Sequence, residues 1–124
     1  MKNIKTNKAP MAIGPYSQAI AIGNIVYTSG QIAINPETNE MVEDDIVMQT
    51  HQVIKNISNI LNEAGSSLDN VIKTTVFVKN IGDFSKINEI YAGYFINCPA
   101  RSLVEVSNLP KNALIEIEVI AEIK

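Results

Sequence analysis

The sequence predicts an α+β fold in which two helices cover one face of a sheet, in the element order ββαβαββ. Three observations carry this. Two short runs rich in Ile, Val and Tyr stand near the start, separated by Gly23-Asn24, a dipeptide suited to the positive φ angles of a tight hairpin. The apolar period then changes to three and four residues between Ile46 and Ala64, and again between Phe84 and Phe95. Strand-like patterning returns in the last third of the chain. No repeat, linker or low-complexity stretch interrupts residues 1–124, which are read as one domain.

In order, a polar leader precedes the strands Tyr16 to Ile22 and Ile25 to Ser29. The turn-rich Asn35-Pro36-Glu37-Thr38-Asn39 ends the hairpin region. Ile46, Val47, Val53, Ile54, Ile57, Ile60, Leu61 and Ala64 then mark one face of an amphipathic helix. Glu43-Asp44-Asp45 stands where carboxylates cap free N–H groups, and Gly65 where a C-terminal cap belongs. Val71 to Lys79 reads as a strand with β-branched residues throughout. Asp83 is placed to cap a second helix with the stripe Phe84, Ile87, Tyr91, Tyr94 and Phe95, and Pro99 marks its outer limit.

The final strands, Arg101 to Val106 and Leu114 to Ile123, are joined through Pro110 and are expected to lie side by side as a hairpin. Alternation puts Ile115, Ile117, Val119, Ala121 and Ile123 on one face of the last strand. The opposite face, Leu114, Glu116, Glu118, Ile120 and Glu122, is mixed, which suggests partial cover by another subunit.

Composition narrows the function classes. Ten basic residues against 13 acidic ones give a net charge of −3, which provides no field to attract a phosphate backbone. Nucleic acid is therefore an unfavoured partner. No apolar run approaches the about 18–20 residues of a membrane span. The basic N-terminal residues lack an apolar stretch behind them, so no secretory signal is expected. One cysteine, Cys98, cannot form an internal disulfide, and the expected compartment is the reducing cytoplasm.

Few residues can carry chemistry. One histidine and one cysteine cannot make a cysteine–histidine zinc site, and no metal is expected. His51 and Cys98 could form a nucleophile pair, but a solvated helix histidine and a packed or idle thiol are the commoner readings. Gly14 and Gly30 stand alone, without a phosphate loop. Asn88 falls inside the apolar stripe of the second helix and must find partners there. Glu116, flanked by Ile115 and Ile117, is either paired, exposed or held in a partly dry cavity with a raised pKa. Arg101 with Glu116 reads first as a cross-strand ion pair; the alternative is a guanidinium fork for a substrate carboxylate beside a proton-handling carboxylate.

Six pieces in order then resemble one family. They are Ile13-Gly14-Pro15-Tyr16-Ser17-Gln18, Thr28-Ser29-Gly30-Gln31, Lys73-Thr74-Thr75-Val76-Phe77-Val78, Asn88-Glu89-Ile90-Tyr91, Pro99-Ala100-Arg101-Ser102 and Ile115-Glu116-Ile117-Glu118. Together they resemble the RidA family of enamine and imine deaminases, also known under the endoribonuclease L-PSP name. The resemblance implies chorismate-mutase-like subunits in a homotrimer, with sheets lining an inner barrel and sites in clefts between subunits. It implies hydrolysis of 2-imino acids such as 2-iminopropanoate and 2-iminobutanoate to 2-keto acids and ammonia, without a cofactor. Arg101 would hold the substrate carboxylate and Glu116 would activate water. Tyr16, Ser29 and Asn88 would line the pocket, and Gly30 would allow close backbone approach. Leu103 stands where the family usually has cysteine; it retains backbone groups for substrate but makes the pocket narrower or more apolar. Cys98 is not at that position. The same resemblance admits an endoribonuclease acting as a translation inhibitor, or a non-enzymatic trimer that binds small carboxylates or unfolded proteins.

Overall fold

A computed structural model describes residues 1–124, and its main sheet has six strands. The chain opens with a strand in the polar leader, β1 (Lys2–Ile4), followed by the hairpin β2 (Ala19–Ile22) and β3 (Ile25–Thr28). Gly23, at φ 58°, makes the predicted turn. A small separate hairpin, β4 (Ile34–Asn35) and β5 (Glu40–Met41), encloses the turn around Pro36. Helix α1 (Ile46–Glu63), strand β6 (Val71–Val78), helix α2 (Phe84–Tyr94) and strands β7 (Ala100–Glu105) and β8 (Ile115–Glu122) complete the order.

The sequence pattern marks only a polar leader here, and the leader forms a strand. It pairs antiparallel with β2, Lys2 opposite Ala21 and Ile4 opposite Ala19, and Ile4 is buried. A three-residue strand gives too short a pattern to register as alternation. Conversely, Tyr16 and Ser17 lie before β2 in an irregular segment, because Pro15 withholds an N–H from any ladder.

Helix α1 forms as its sequence requires. Asp45 accepts a bond from Met48 N–H at 3.0 Å, the expected N-cap. At the other end Gly65 takes φ 84°, Ser66 N–H reaches Leu61 C=O at 2.8 Å and Gly65 N–H reaches Asn62 C=O at 3.1 Å. This is a glycine-terminated Schellman cap. Val53, Ile54, Ile57, Ile60 and Leu61 are fully buried, whereas Val47, assigned to the same face, is exposed in the first turn. Asp83 precedes α2 without capping it, since its backbone already belongs to a single 3-10 turn over Ile81–Asp83.

The sheet order is β1-β2-β3-β8-β6-β7. The expected hairpin of β7 with β8 is therefore corrected: β6 lies between them, antiparallel to β8 and parallel to β7. The parallel pairing is possible because α2 supplies the long crossover it needs. It is favoured because β8 has one face wholly buried, Ile115, Ile117, Val119 and Ala121, and such a strand gains most in the middle of the sheet. Both helices cover that face, and Val26, Val76, Ile87 and Phe95 join the same core. The opposite face of the sheet, with Tyr27, Phe77, Glu118 and Ile120, is covered by neither helix, and within the chain only the loops around Met11 and Lys111 reach over it, at Glu116. No helix is long and apolar enough to cross a membrane.

Candidate active site in two halves

Glu116 and Arg101 belong to opposite faces of the sheet. On β6, Thr74 pairs with Arg101 and is fully buried toward the helices, while Phe77 pairs with Glu116 and faces outward. Side chains alternate across a strand, so the two residues cannot meet inside one chain. Their reading as a cross-strand ion pair is thereby removed; the only ion pair within 4.0 Å is Lys124 with Glu122, at 3.8 Å.

The Arg101 half is a shelf. The guanidinium donates from Nη1 to Asn88 Oδ1 at 2.7 Å and lies 4.8 Å from the centre of the Tyr91 ring, with Phe84 5.7 Å away. Cation–π contact and a fixed hydrogen bond orient the planar fork. The Tyr91 hydroxyl bonds Thr74 Oγ1 at 2.7 Å, which fixes the ring beneath it. Burial raises the Tyr91 pKa, opposed by the Thr74 bond and by the nearby Arg101 charge. No carboxylate of the chain pairs with this guanidinium.

Leu103 shares the Arg101 face and packs against the core margin. Because β7 is an edge strand and Val106 N–H bonds Val78 C=O, ladder alternation turns the backbone groups of Arg101 and Leu103 outward. Unpaired N–H and C=O groups thus stand beside the guanidinium.

The Glu116 half is a pocket of about 210 Å³ on the uncovered face, lined by Met11, Ile13, Tyr16, Gly30 and Lys111 besides Glu116. Burial pushes the Glu116 pKa above the usual carboxylate range, and the neighbouring Glu118 charge adds to the shift. Gln31 and Ile117 exchange two backbone bonds, at 2.8 and 3.1 Å, which brings Gly30 directly against the Glu116 carboxyl. Lys111 and Asn112 both hold positive φ, 55° and 56°, in the loop that closes the pocket.

Of the residues singled out from sequence, Tyr16, Gly30 and Glu116 gather in this half, and Asn88, Arg101 and Leu103 in the other. Ser29 lies beside Gly30, but its hydroxyl donates to Ser17 C=O at 2.6 Å, so its donor is spent on the chain. His51 bonds the Tyr94 hydroxyl through Nδ1 at 2.7 Å on the outer helix surface, and Cys98 is exposed. The sequence reading missed the aromatic shelf: Tyr91 and Phe84 had been assigned to the core stripe, and only the parallel β6–β7 pairing sets them beneath Arg101.

The family model described as endoribonuclease L-PSP matches residues 6–123, and the chain belongs to that family. It is similar to a RutC family protein of Pyrococcus abyssi, 57% identical over 119 residues that cover 95% of this chain and 94% of the relative. Among solved structures it is similar to YyfA of the Rid protein family from Yersinia pestis, with TM-score 0.96 and 56% identity over 98% of each chain. Escherichia coli TdcF, solved with bound serine, has TM-score 0.95 and 41% identity over 100% of both chains.

Proposed function

We propose that this protein hydrolyses 2-imino acids to 2-keto acids and ammonia, as a homotrimer whose sites join the Arg101 half of one subunit to the Glu116 half of the next. One observation carries this reading. An oriented guanidinium without a carboxylate partner and a carboxylate with a raised pKa lie on opposite faces of one sheet, so only a second copy can combine them. The uncovered face, with Tyr27, Phe77 and Ile120, and the free edge of β7 supply the surfaces such an assembly would bury.

Arg101 grips the planar substrate carboxylate through two parallel N–H bonds, with Asn88 and the Tyr91 ring holding the fork in place. Glu116 takes a proton from water as the oxygen attacks the C=N carbon. The π electrons move to nitrogen, giving a carbinolamine. Glu116 then returns the proton to nitrogen, and as the C–N bond breaks the hydroxyl gives its proton to the freed Glu116 carboxylate, so that the oxygen lone pair forms the C=O of the keto acid and neutral ammonia leaves. A carboxyl with a raised pKa suits these transfers near neutral pH. Most of the remaining acceleration is proximity, because a protonated imine is already electrophilic.

Serine bound to TdcF supports a site for a small carboxylate, and a binding protein without turnover is the second reading. The family description names an endoribonuclease, yet a net charge of −3 opposes association with a phosphate backbone. The test generates 2-imino acids in situ with an amino-acid oxidase or a threonine dehydratase and follows keto acid formation. Acceleration by wild type that Arg101→Ala abolishes is the expected result. No acceleration by a folded trimer, with small or bulky imino acids, leaves the binding reading.

A further inference from the structure

The segment from Pro10 to Ser17 forms one wall of the Glu116 pocket, yet little within the segment holds it there. Its one internal backbone bond runs from Tyr16 N–H to Gly14 C=O at 2.8 Å. Met11, Ile13 and Tyr16 are 46, 76 and 52% exposed. On one side lies the Glu116 pocket; on the other is a second cavity of about 270 Å³, lined by Ala12, Gly14 and Tyr16 together with Asn3 and Ile4. Within its own chain, a strip of apolar residues between two open spaces has little packing to fix its position.

Its ends are fixed instead, and one side chain gathers them. Gln18, at the exit, is 3% exposed. Its Oε1 accepts from Thr6 N–H at 2.7 Å, while Nε2 donates to Pro10 C=O at 2.7 Å, to Thr6 C=O at 3.0 Å and more weakly to Ala9 C=O at 3.4 Å. The entrance of the wall is thus bonded to its exit through a single buried amide. The Gln18 C=O accepts Ser29 N–H at 2.9 Å, which sets the same residue against the Ser29-Gly30 strand end beside Glu116.

We propose that Gln18 is a positioning residue that holds Pro10–Ser17 as the apolar wall of the Glu116 pocket, and so governs which substrate side chains enter and how far water reaches the carboxylate. The part concerning substrate rests on the imine-hydrolysis reading; the part concerning the wall does not. An amide is required because both an acceptor and a donor are used. Glutamate would turn a carboxylate toward three carbonyls, and methionine keeps the length but makes none of the bonds. With the wall released, Glu116 loses part of the burial that raises its pKa.

The experiment compares full-length wild type with Gln18→Met and Gln18→Asn, the latter an amide one methylene too short. Three quantities are read: amide hydrogen exchange of Thr6 and Tyr16, whose N–H groups are bonded at the clamp and in the wall, against β6 and β8, the Glu116 titration midpoint by carbon-detected NMR, and kcat/KM for a small and a bulky imino acid. The expected result is exchange faster by on the order of tenfold at Thr6 and Tyr16, with β6 and β8 unchanged. The Glu116 midpoint moves down toward the ordinary glutamate range, and the preference between small and bulky substrates narrows. An unchanged midpoint and unchanged preference, with only a lower melting temperature, overturns the proposal and leaves Gln18 a structural residue. Failure of both variants to fold also overturns it, since the amide would then serve the core rather than the wall. If wild type hydrolyses no imine, the reaction falls, and exchange and titration still decide the role of Gln18.

Discussion

The Glu116 carboxyl occupies the space that a side chain at Gly30 would need: a Cβ built on Gly30 lies 2.8 Å from Glu116 Cδ. Gly30 has no unusual backbone angle, so this close approach, rather than conformation, is what a larger residue would violate. Gly30→Ala is expected to displace Glu116 while leaving the core intact, lowering keto acid formation by roughly a hundredfold, the scale of a one-ångström misplacement. Parallel measurement of melting temperature checks that the loss is local.

The raised Glu116 pKa makes a stability prediction with a definite sign. The folded state holds this proton to higher pH than the unfolded chain, so between the ordinary glutamate range and the folded pKa stability falls as pH rises. Above the folded pKa the full penalty of the buried charge is present. Glu116→Gln removes it, and is expected to melt higher than wild type at neutral pH, with the difference vanishing below pH about 4. A pH series of thermal melts checks this, and the same variant should bind a 2-keto acid without turnover.

Arg101→Lys keeps the charge but loses the fork, the bond to Asn88 and the flat contact on Tyr91. Affinity for a 2-keto acid should fall by about tenfold to a hundredfold, in line with the loss of a charge-assisted bond. Calorimetric titration measures it. Asn88→Ala should weaken binding less, because it loosens the guanidinium without removing it.

Asn56 tests the scaffold apart from the site. It is fully buried in α1, and its Nδ2 donates to Ile34 C=O at 2.9 Å and Ile32 C=O at 3.3 Å. Asn56→Ala strands these carbonyls in the interior and should cost about 1–3 kcal/mol. Denaturant unfolding reads the change, with imine hydrolysis at low temperature little affected.

How far the sequence could be read follows from the range of each interaction. The α1 helix was legible because Asp45, the apolar stripe and Gly65 act within a few residues of one another. The place of β7 was not: Pro110 suggested a hairpin, and nothing local reports that β6 takes the position between β7 and β8. The same limit applies to the site. Arg101 and Glu116 could be named from their motifs, but their assignment to opposite faces depends on the register of β6 with two neighbours. The Gln18 clamp was hidden for another reason, since a glutamine in a signature piece gives no sign that its bonds go to Thr6, Ala9 and Pro10.

The opposed faces of Arg101 and Glu116 have a consequence in the behaviour of mixed populations of chains. If each site borrows one residue from each of two subunits, a chain carrying Arg101→Ala and a chain carrying Glu116→Gln are defective in different halves. Co-assembled, they bring an intact Arg101 half and an intact Glu116 half together at some boundaries, and two inactive proteins complement each other. The converse also holds. A doubly substituted chain mixed with wild type disables the boundaries on both of its sides, so one defective copy silences more of the assembly than its own share.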